Sequence, residues 1–409
     1  MRVLSAIITH PLRKVCNATS AGMQLSEAVA RLIELDTAIM WDNDETVIAG
    51  DLVVRRVRSK NGLGMFNHVV PRFAKVPLYD SKIPEMLDGG YDLVHIHNLI
   101  PTLAAARLSR ACKRHGMPYV ISTHGFFELS AYAKIHGFGP IKSALVDLAM
   151  TRPFRQIVAD ATRILALSDC EGEMLAEMGV RPEIIDIVTN GVAEYFLAAP
   201  TEREIQDARA KFAIGAAPVL LFKGNLGSGA NIFLQSLTGL GIEFQAIVVG
   251  PLERAAQAEG LLTAADVPQT LRNRILFTGE LTDDDLRALY HLADLFVYPS
   301  QGDSLPLPLL EAMACGLPVV STAVGGISFA VTRECGILVP PNDSKGIADA
   351  VVTMLNSRQR RAMAGMRARE RVIKTFRWEA SAKHAVASYE KAVAVQRRTF
   401  TVADRVHMS

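Results

Sequence analysis

Short apolar runs bounded by Gly, Pro, Asn and Asp alternate along this chain with longer amphipathic stretches. A strand buried on both faces reads as a continuous apolar run, and a covering helix as apolar positions three and four apart. On that basis strands are predicted at 2–8 ("RVLSAII"), 37–41, 91–97 ("YDLVHIH"), 118–123 ("PYVIST"), 162–168 and 184–189. The rhythm restarts at 218–222 ("PVLLF"), 244–250, 274–279, 294–300 ("DLFVYPS"), 317–322 and 336–341. Helical patterns such as "MQLSEAVARLIEL" and "PTLAAARLSRACKRHG" lie between them. Two successive series of β and α units predict an α/β protein of two Rossmann-like domains, each a parallel sheet covered by helices. The break falls in 195–216, where Pro, charge and small residues mix, so the expected domains are 1–195 and 196–376. Ligands of open parallel sheets bind outside the carboxyl ends of the strands, which makes a central cleft between the two sheets the expected site.

Composition narrows the function without naming it. The 409 residues exceed one ordinary core, and 49% hydrophobic with 21% charged residues is a globular balance. A net charge of +2 argues against a nucleic-acid binder. Cys16, Cys112, Cys170, Cys315 and Cys335 are widely spaced with no CxxC pair, which fits reduced cytoplasmic thiols and gives no support for a metal. The start of the chain has too short an apolar run for a signal peptide, and no stretch reaches the roughly 18 apolar residues of a membrane span. A cytoplasmic protein is expected. Lys and Arg far outnumber the acids across 358–398. That region reads either as a solvated helix face or as a contact for the inner face of a membrane or another acidic partner.

Two stretches carry candidate chemistry. "KGNLGSGAN" (223–231) joins a strand to a helix, and Gly224, Gly227 and Gly229 let backbone amides approach phosphate oxygens. Its one cation is Lys223. The spacing is not that of a dinucleotide fingerprint, which disfavours an oxidoreductase. In "DLFVYPSQGDSLPLPLLEAMACGLPVVSTAVGG" (294–326), a strand ends near Pro299 and a short helix is expected from about Pro308 to Gly316. Asp303 lies in the turn and Glu311 in the expected first helical turn, two carboxylates suited to gripping vicinal hydroxyls. His95 and His97 alternate on one strand and share a face, and His124 ends another strand pointing the same way.

The second stretch closely resembles the signature of the retaining glycosyltransferases of family 4, with the GT-B fold. There, two glutamates separated by seven residues are followed by "AMACGxPVV", and "EAMACGLPVV" (311–320) matches position by position. "YDLVHIHN", "VISTHG", "ALSDCEGEMLAEMGV" and "VTNGVAEYF" extend the likeness over nearly the whole chain. "FRWEASAKHAVASYEKAV" is similar to the family's C-terminal helices, which implies that about 377–398 pack back onto the first domain. The resemblance implies a hexosyltransferase-like, metal-independent enzyme that needs no cofactor and takes a nucleotide-diphosphate sugar and an unidentified hydroxyl acceptor. Glu311 would bind the donor ribose, and Asp303, at the first glutamate's position, the sugar hydroxyls. Ser304, Leu305 and Leu307 would offer amides to the donor, while Pro306 has no N–H to offer. His124 would approach the donor sugar, so His124, Asp303 and Lys223 are the catalytic candidates. Gly22, in the loop expected after the first strand, would pass near the donor.

One departure stands out. Asn225 and Ala230 occupy the places of the family's Arg and Lys, which neutralise the departing diphosphate. Either the glycine turn and its helix amides compensate, or the chain is a sugar-nucleotide-binding partner subunit with impaired catalysis. On the acceptor side the candidates are His97, Asn98 and Arg13. The basic, loop-like stretch 55–75 reads either as a contact for an anionic or lipid-linked acceptor or as a solvated edge hairpin.

Overall fold

In the computed structural model, which describes residues 1–10, 17–62, 76–125, 147–252 and 255–407, the apolar runs become parallel strands. The chain forms two units, residues 1–191 with 378–409, and residues 192–377. No helix among the described residues is long and apolar enough to cross a membrane.

The first unit contains β1 (Arg2–Ile7), β2 (Glu34–Trp41), β3 (Glu45–Ala49), β4 (Leu52–Asn61), β5 (Tyr79–Ser81), β6 (Leu93–His97), β7 (Tyr119–Ser122), β8 (Arg163–Ala166) and β9 (Ile185–Ile187). Their order is β3-β4-β2-β1-β6-β7-β8-β9, with β5 paired to β4. The strands β4, β2, β1, β6, β7, β8 and β9 run parallel, while β3 and β5 are antiparallel to β4. Leu4, Ala6, Val94, Ile96, Ile121 and Ile164 are fully buried between sheet and helices, and burial stabilises each large side chain by about 1.5–3 kcal/mol.

The pattern missed the β3–β4 edge. Residues 52–61 form a ten-residue strand rather than a loop, because Leu52, Val54 and Val57 face the core. Arg55, Arg58 and Lys60 mask that alternation in the sequence. The rest of the basic stretch, 63–75, lies outside the described residues, as does Arg13. Asn17–Ala30 is helical, so Gly22 sits inside a helix and not in a glycine-rich loop.

The C-terminal helix, Trp378–His407, belongs to the first unit. Trp378 Nε1 donates to Gln24 at 2.6 Å, and Gln396 donates to the Gly116 carbonyl at 2.9 Å. Asp186, at the centre of β9, accepts from Ser388 at 2.8 Å and Lys391 at 2.9 Å, and also pairs with Arg163. Burial alone would raise the Asp186 pKa, but hydrogen bonds from Arg163, Lys391 and Ser388 outweigh it and hold the carboxyl below its usual range.

The second unit contains β10 (Val219–Lys223), β11 (Gln245–Val249), β12 (Ile275–Gly279), β13 (Leu295–Tyr298), β14 (Val319–Thr322) and β15 (Gly336–Val339). They form one parallel sheet in the order β12-β11-β10-β13-β14-β15. Strand order reverses at β10 here and at β1 in the first sheet. Such switch points open a crevice at the carboxyl ends of the adjoining strands. They single out the ends of β10 and β13, and of β1 and β6.

The arginines of the helix Arg358–Thr375 have a structural use that the sequence did not reveal. Arg361 donates to the Met354 and Leu355 carbonyls, Arg369 to those of Ala314 and Leu197, and Arg371 to those of Ala330 and Phe329. Three helices thus end on guanidinium groups, which satisfy their last carbonyls and oppose the negative end of the helix dipole.

Candidate active site

At the end of β10 the chain leaves Lys223 into Gly224–Gly227 and enters the helix Ser228–Leu237, with Gly227 at its N-cap. A Cβ on Gly229 would lie 2.5 Å from the Pro299 carbonyl oxygen, so only glycine lets this helix start so close to the end of β13. A Cβ on Gly227 would meet nothing within 4 Å. Asn225 is exposed, whereas Ala230 is fully buried.

After β13 the backbone runs through Ser300–Pro306 into the helix Leu307–Ala314. Its closeness to the next helix, Gly325–Ala330, depends on Gly326, where a Cβ would fall 1.4 Å from the Ser304 carbonyl oxygen. Ser304, Leu305 and Leu307 are buried, and among the described residues no partner reaches the Ser304 hydroxyl. Because the helix starts at Leu307, Glu311 lies in its second turn rather than its first. The helix dipole therefore has little hold on it.

Side-chain partners hold Glu311 in place instead. Lys223 Nζ donates to Glu311 Oε2 at 2.7 Å, and the buried Tyr290 hydroxyl donates to the same oxygen at 3.0 Å. The side chains of Lys223 and Glu311 are only 25% and 12% exposed, so this pair is largely shielded from water. Asp303 is held in the same manner: Tyr298 donates to its Oδ2 at 3.0 Å and Ser300 at 2.7 Å. Ser300 is fixed in turn by Thr322, which accepts from its N–H at 2.9 Å and donates to its carbonyl at 2.6 Å. Among the described residues, each carboxylate is bound through one oxygen, and no donor reaches the other. Two carboxylates with free oxygens and an open glycine turn flank the switch point of one sheet. They suit a ligand with vicinal hydroxyls beside phosphate.

The first unit gathers a second cluster at the ends of β6 and β7. His95 Nε2 lies 2.8 Å from Ser122 Oγ and its Nδ1 lies 2.7 Å from the Tyr389 hydroxyl, so His95 is saturated within the core. The His97 ring lies against it, centroids 3.7 Å apart and tilted by 42°, and His97 Nδ1 is 3.1 Å from His124 Nε2. Gly22 makes room for this ring, because a Cβ there would approach His97 to 3.2 Å. Among the described residues, no partner reaches the buried His97 Nε2 or His124 Nδ1. Burial holds His95 and His97 well below the ordinary imidazole pKa and pushes His124 down to about 4. Neutral imidazoles sharing one proton across the 3.1 Å contact leave one free N–H and one free lone pair between them. Asn98 and His124 both take left-handed backbone, φ 64° and 45°. Asn98 spends its amide on the Ile8 and Ile100 carbonyls and its oxygen on the Ile100 N–H.

Residues 217–357 match the family described as glycosyl transferases group 1, and residues 26–194 match glycosyltransferase family 4. The chain is 30% identical over 413 residues to the D-inositol 3-phosphate glycosyltransferase of Mycobacterium marinum, covering 95% of this chain and 85% of that one. It belongs to glycosyltransferase family 4. A second relative of the same name, from Salinispora tropica, is 30% identical over 329 residues, 76% of this chain and 66% of its own length. In fold, this glycosyltransferase is similar to sucrose-phosphate synthase from Thermosynechococcus elongatus, with TM-score 0.74, 21% identity, and 97% and 100% of the two chains covered. It is also similar to Anabaena HepE in complex with UDP-glucose, with TM-score 0.71, 18% identity, and 94% and 99% covered. The fold is GT-B.

Within this glycosyltransferase, the tyrosines that orient the two carboxylates escaped the sequence reading. Tyr290 falls on the buried face of the helix Asp283–Leu292, and Tyr298 ends β13. Both positions read as ordinary core aromatics, and no local spacing links them to acids elsewhere in the chain. Lys223, the one cation of the glycine turn and a catalytic candidate, has its ammonium engaged by Glu311.

Proposed function

We propose that this glycosyltransferase takes its sugar from a nucleoside-diphosphate donor and passes it to a hydroxyl acceptor with retention of anomeric configuration, without a metal cofactor. The observation that carries the reading is the 2.7 Å contact between Lys223 and Glu311. It joins the start of the glycine turn to the carboxylate suited to a ribose diol, as a nucleotide joins its diphosphate to its ribose. Glu311 holds the ribose, and Asp303 holds hydroxyls of the transferred sugar. The diphosphate meets the N-terminal amides of the helix Ser228–Leu237, whose partial positive charge takes the place of the missing Arg and Lys. The C1–O bond to the diphosphate breaks and the leaving group departs with the electron pair. The acceptor oxygen then bonds to C1 on the same face and gives its proton to a departing phosphate oxygen. Within the first unit, the His97–His124 pair suits a hydroxyl-bearing ligand without adding charge.

The test is incubation with UDP-, GDP-, ADP- and dTDP-sugars, with and without acceptors. Inositol 3-phosphate is included among these because relatives carry it in their names. Release of nucleoside diphosphate with a product of unchanged anomeric configuration, insensitive to EDTA, is expected. No release from any donor would overturn the reading, and an inverted product would overturn retention.

A further inference from the structure

Glu311 has two carboxylate oxygens and one of them is doubly occupied. Lys223 Nζ at 2.7 Å and the Tyr290 hydroxyl at 3.0 Å both donate to Oε2, while among the described residues no donor reaches Oε1. Tyr290 is fully buried on the helix Asp283–Leu292. Its ring stands edge-on to Phe296 of β13, centroids 5.8 Å apart at 73°, and to Phe196 at 6.0 Å and 72°. Both contacts belong to the packed core, so the phenol cannot swing without disturbing it. Its other acceptor within reach is the Pro308 carbonyl at 3.3 Å, one turn before Glu311 on the same helix. The hydroxyl therefore ties the helix backbone and the carboxylate to one fixed point.

We propose that Tyr290 is a positioning residue for nucleotide recognition: with Lys223 it holds Glu311 through Oε2, so that Oε1 alone is presented to the ribose diol. The inference rests on the donor reading above. A glutamate with two free oxygens samples several rotamers and loses that entropy when ligand binds. One already pinned by two donors has lost it beforehand. The effect is confined to ligands that carry the diol. That selectivity separates positioning from a general structural role, because a merely loosened core would weaken every nucleotide alike.

The experiment is equilibrium binding of UDP, GDP and ADP, each beside its 2′,3′-dideoxy analogue, to the full-length wild type, Tyr290→Phe, Glu311→Ala and the double variant. Phenylalanine keeps both aromatic contacts and removes only the hydroxyl. Expected is a loss of about tenfold in affinity for the preferred ribonucleotide in Tyr290→Phe. The dideoxy analogue should bind unchanged, and Tyr290→Phe should add nothing in the Glu311→Ala background. Equal weakening of both ligands, or of neither, overturns the role of Tyr290 while leaving the donor reading intact. A wild type that binds none of the three diphosphates overturns both. If Tyr290→Phe does not fold, Lys223→Met probes the same oxygen. It should weaken the ribonucleotide more than its dideoxy analogue, and an equal loss counts against the proposal.

Discussion

Acidification should unfold the first unit in a way that can be traced to individual imidazoles. Burial depresses the pKa of His95, His97 and His124 in the folded state, the last to about 4. Unfolding returns each to about 6.5. Between these values the unfolded chain binds more protons, so stability is complete above the unfolded pKa and is lost as pH falls toward the folded one. For His124 alone, moving from pH 8 to pH 5 removes about 2 kcal/mol, since the unfolded imidazole is then almost fully protonated and the folded one mostly neutral. His124 keeps part of its surface exposed, so this figure is an upper bound. The assay is urea unfolding followed by tryptophan fluorescence, because the chain's two tryptophans, Trp41 and Trp378, both belong to this unit. With an m-value of about 2–3 kcal/mol/M, the urea midpoint of the wild type should drop between pH 8 and pH 5 by about 1 M more than that of His124→Gln. Parallel pH dependences in the two proteins would refute the argument, since removing the imidazole would then have removed no linkage.

Three further outcomes are expected. Gly227→Asp places a good N-cap at an open position, so the melting temperature should hold or rise. Calorimetric titration should nonetheless show donor affinity falling by tenfold or more, because a carboxylate then faces the diphosphate, and by more than in Lys223→Ala. Gly326→Ala pushes a methyl into the Ser304 carbonyl and should cost about 3 kcal/mol in chemical denaturation while weakening donor binding through the displaced turn. Asp186→Asn leaves Arg163 and Lys391 without their shared carboxylate and should cost the first unit about 2 kcal/mol by tryptophan fluorescence at pH 7. In the wild type the Asp186 contribution is present above the usual carboxylate pKa and is lost as pH falls through its lowered folded value.

The two-sheet architecture was legible in the chain because strands buried on both faces must be continuously apolar, and helices covering them must carry an apolar stripe. "EAMACGLPVV" marked the glycosyltransferase family because a tight helix–turn–strand leaves little freedom in residue type. Strand β4 was lost to the pattern because its outward arginines and lysine break the apolar run. Gly22 was misplaced because a glycine inside a helix gives no local sign of the ring it accommodates.

What only tertiary structure decided is the partnership of charges. Whether Lys223 faces solvent, phosphate or Glu311 depends on where a helix 88 positions later is packed. The surplus arginines of the helix Arg358–Thr375 acquire meaning only when the ends of three other helices are brought beside them. Sequence determines which groups exist and which face of an element they share. Hydrogen bonds act over about 3 Å, and only the folded backbone determines which groups come within that reach.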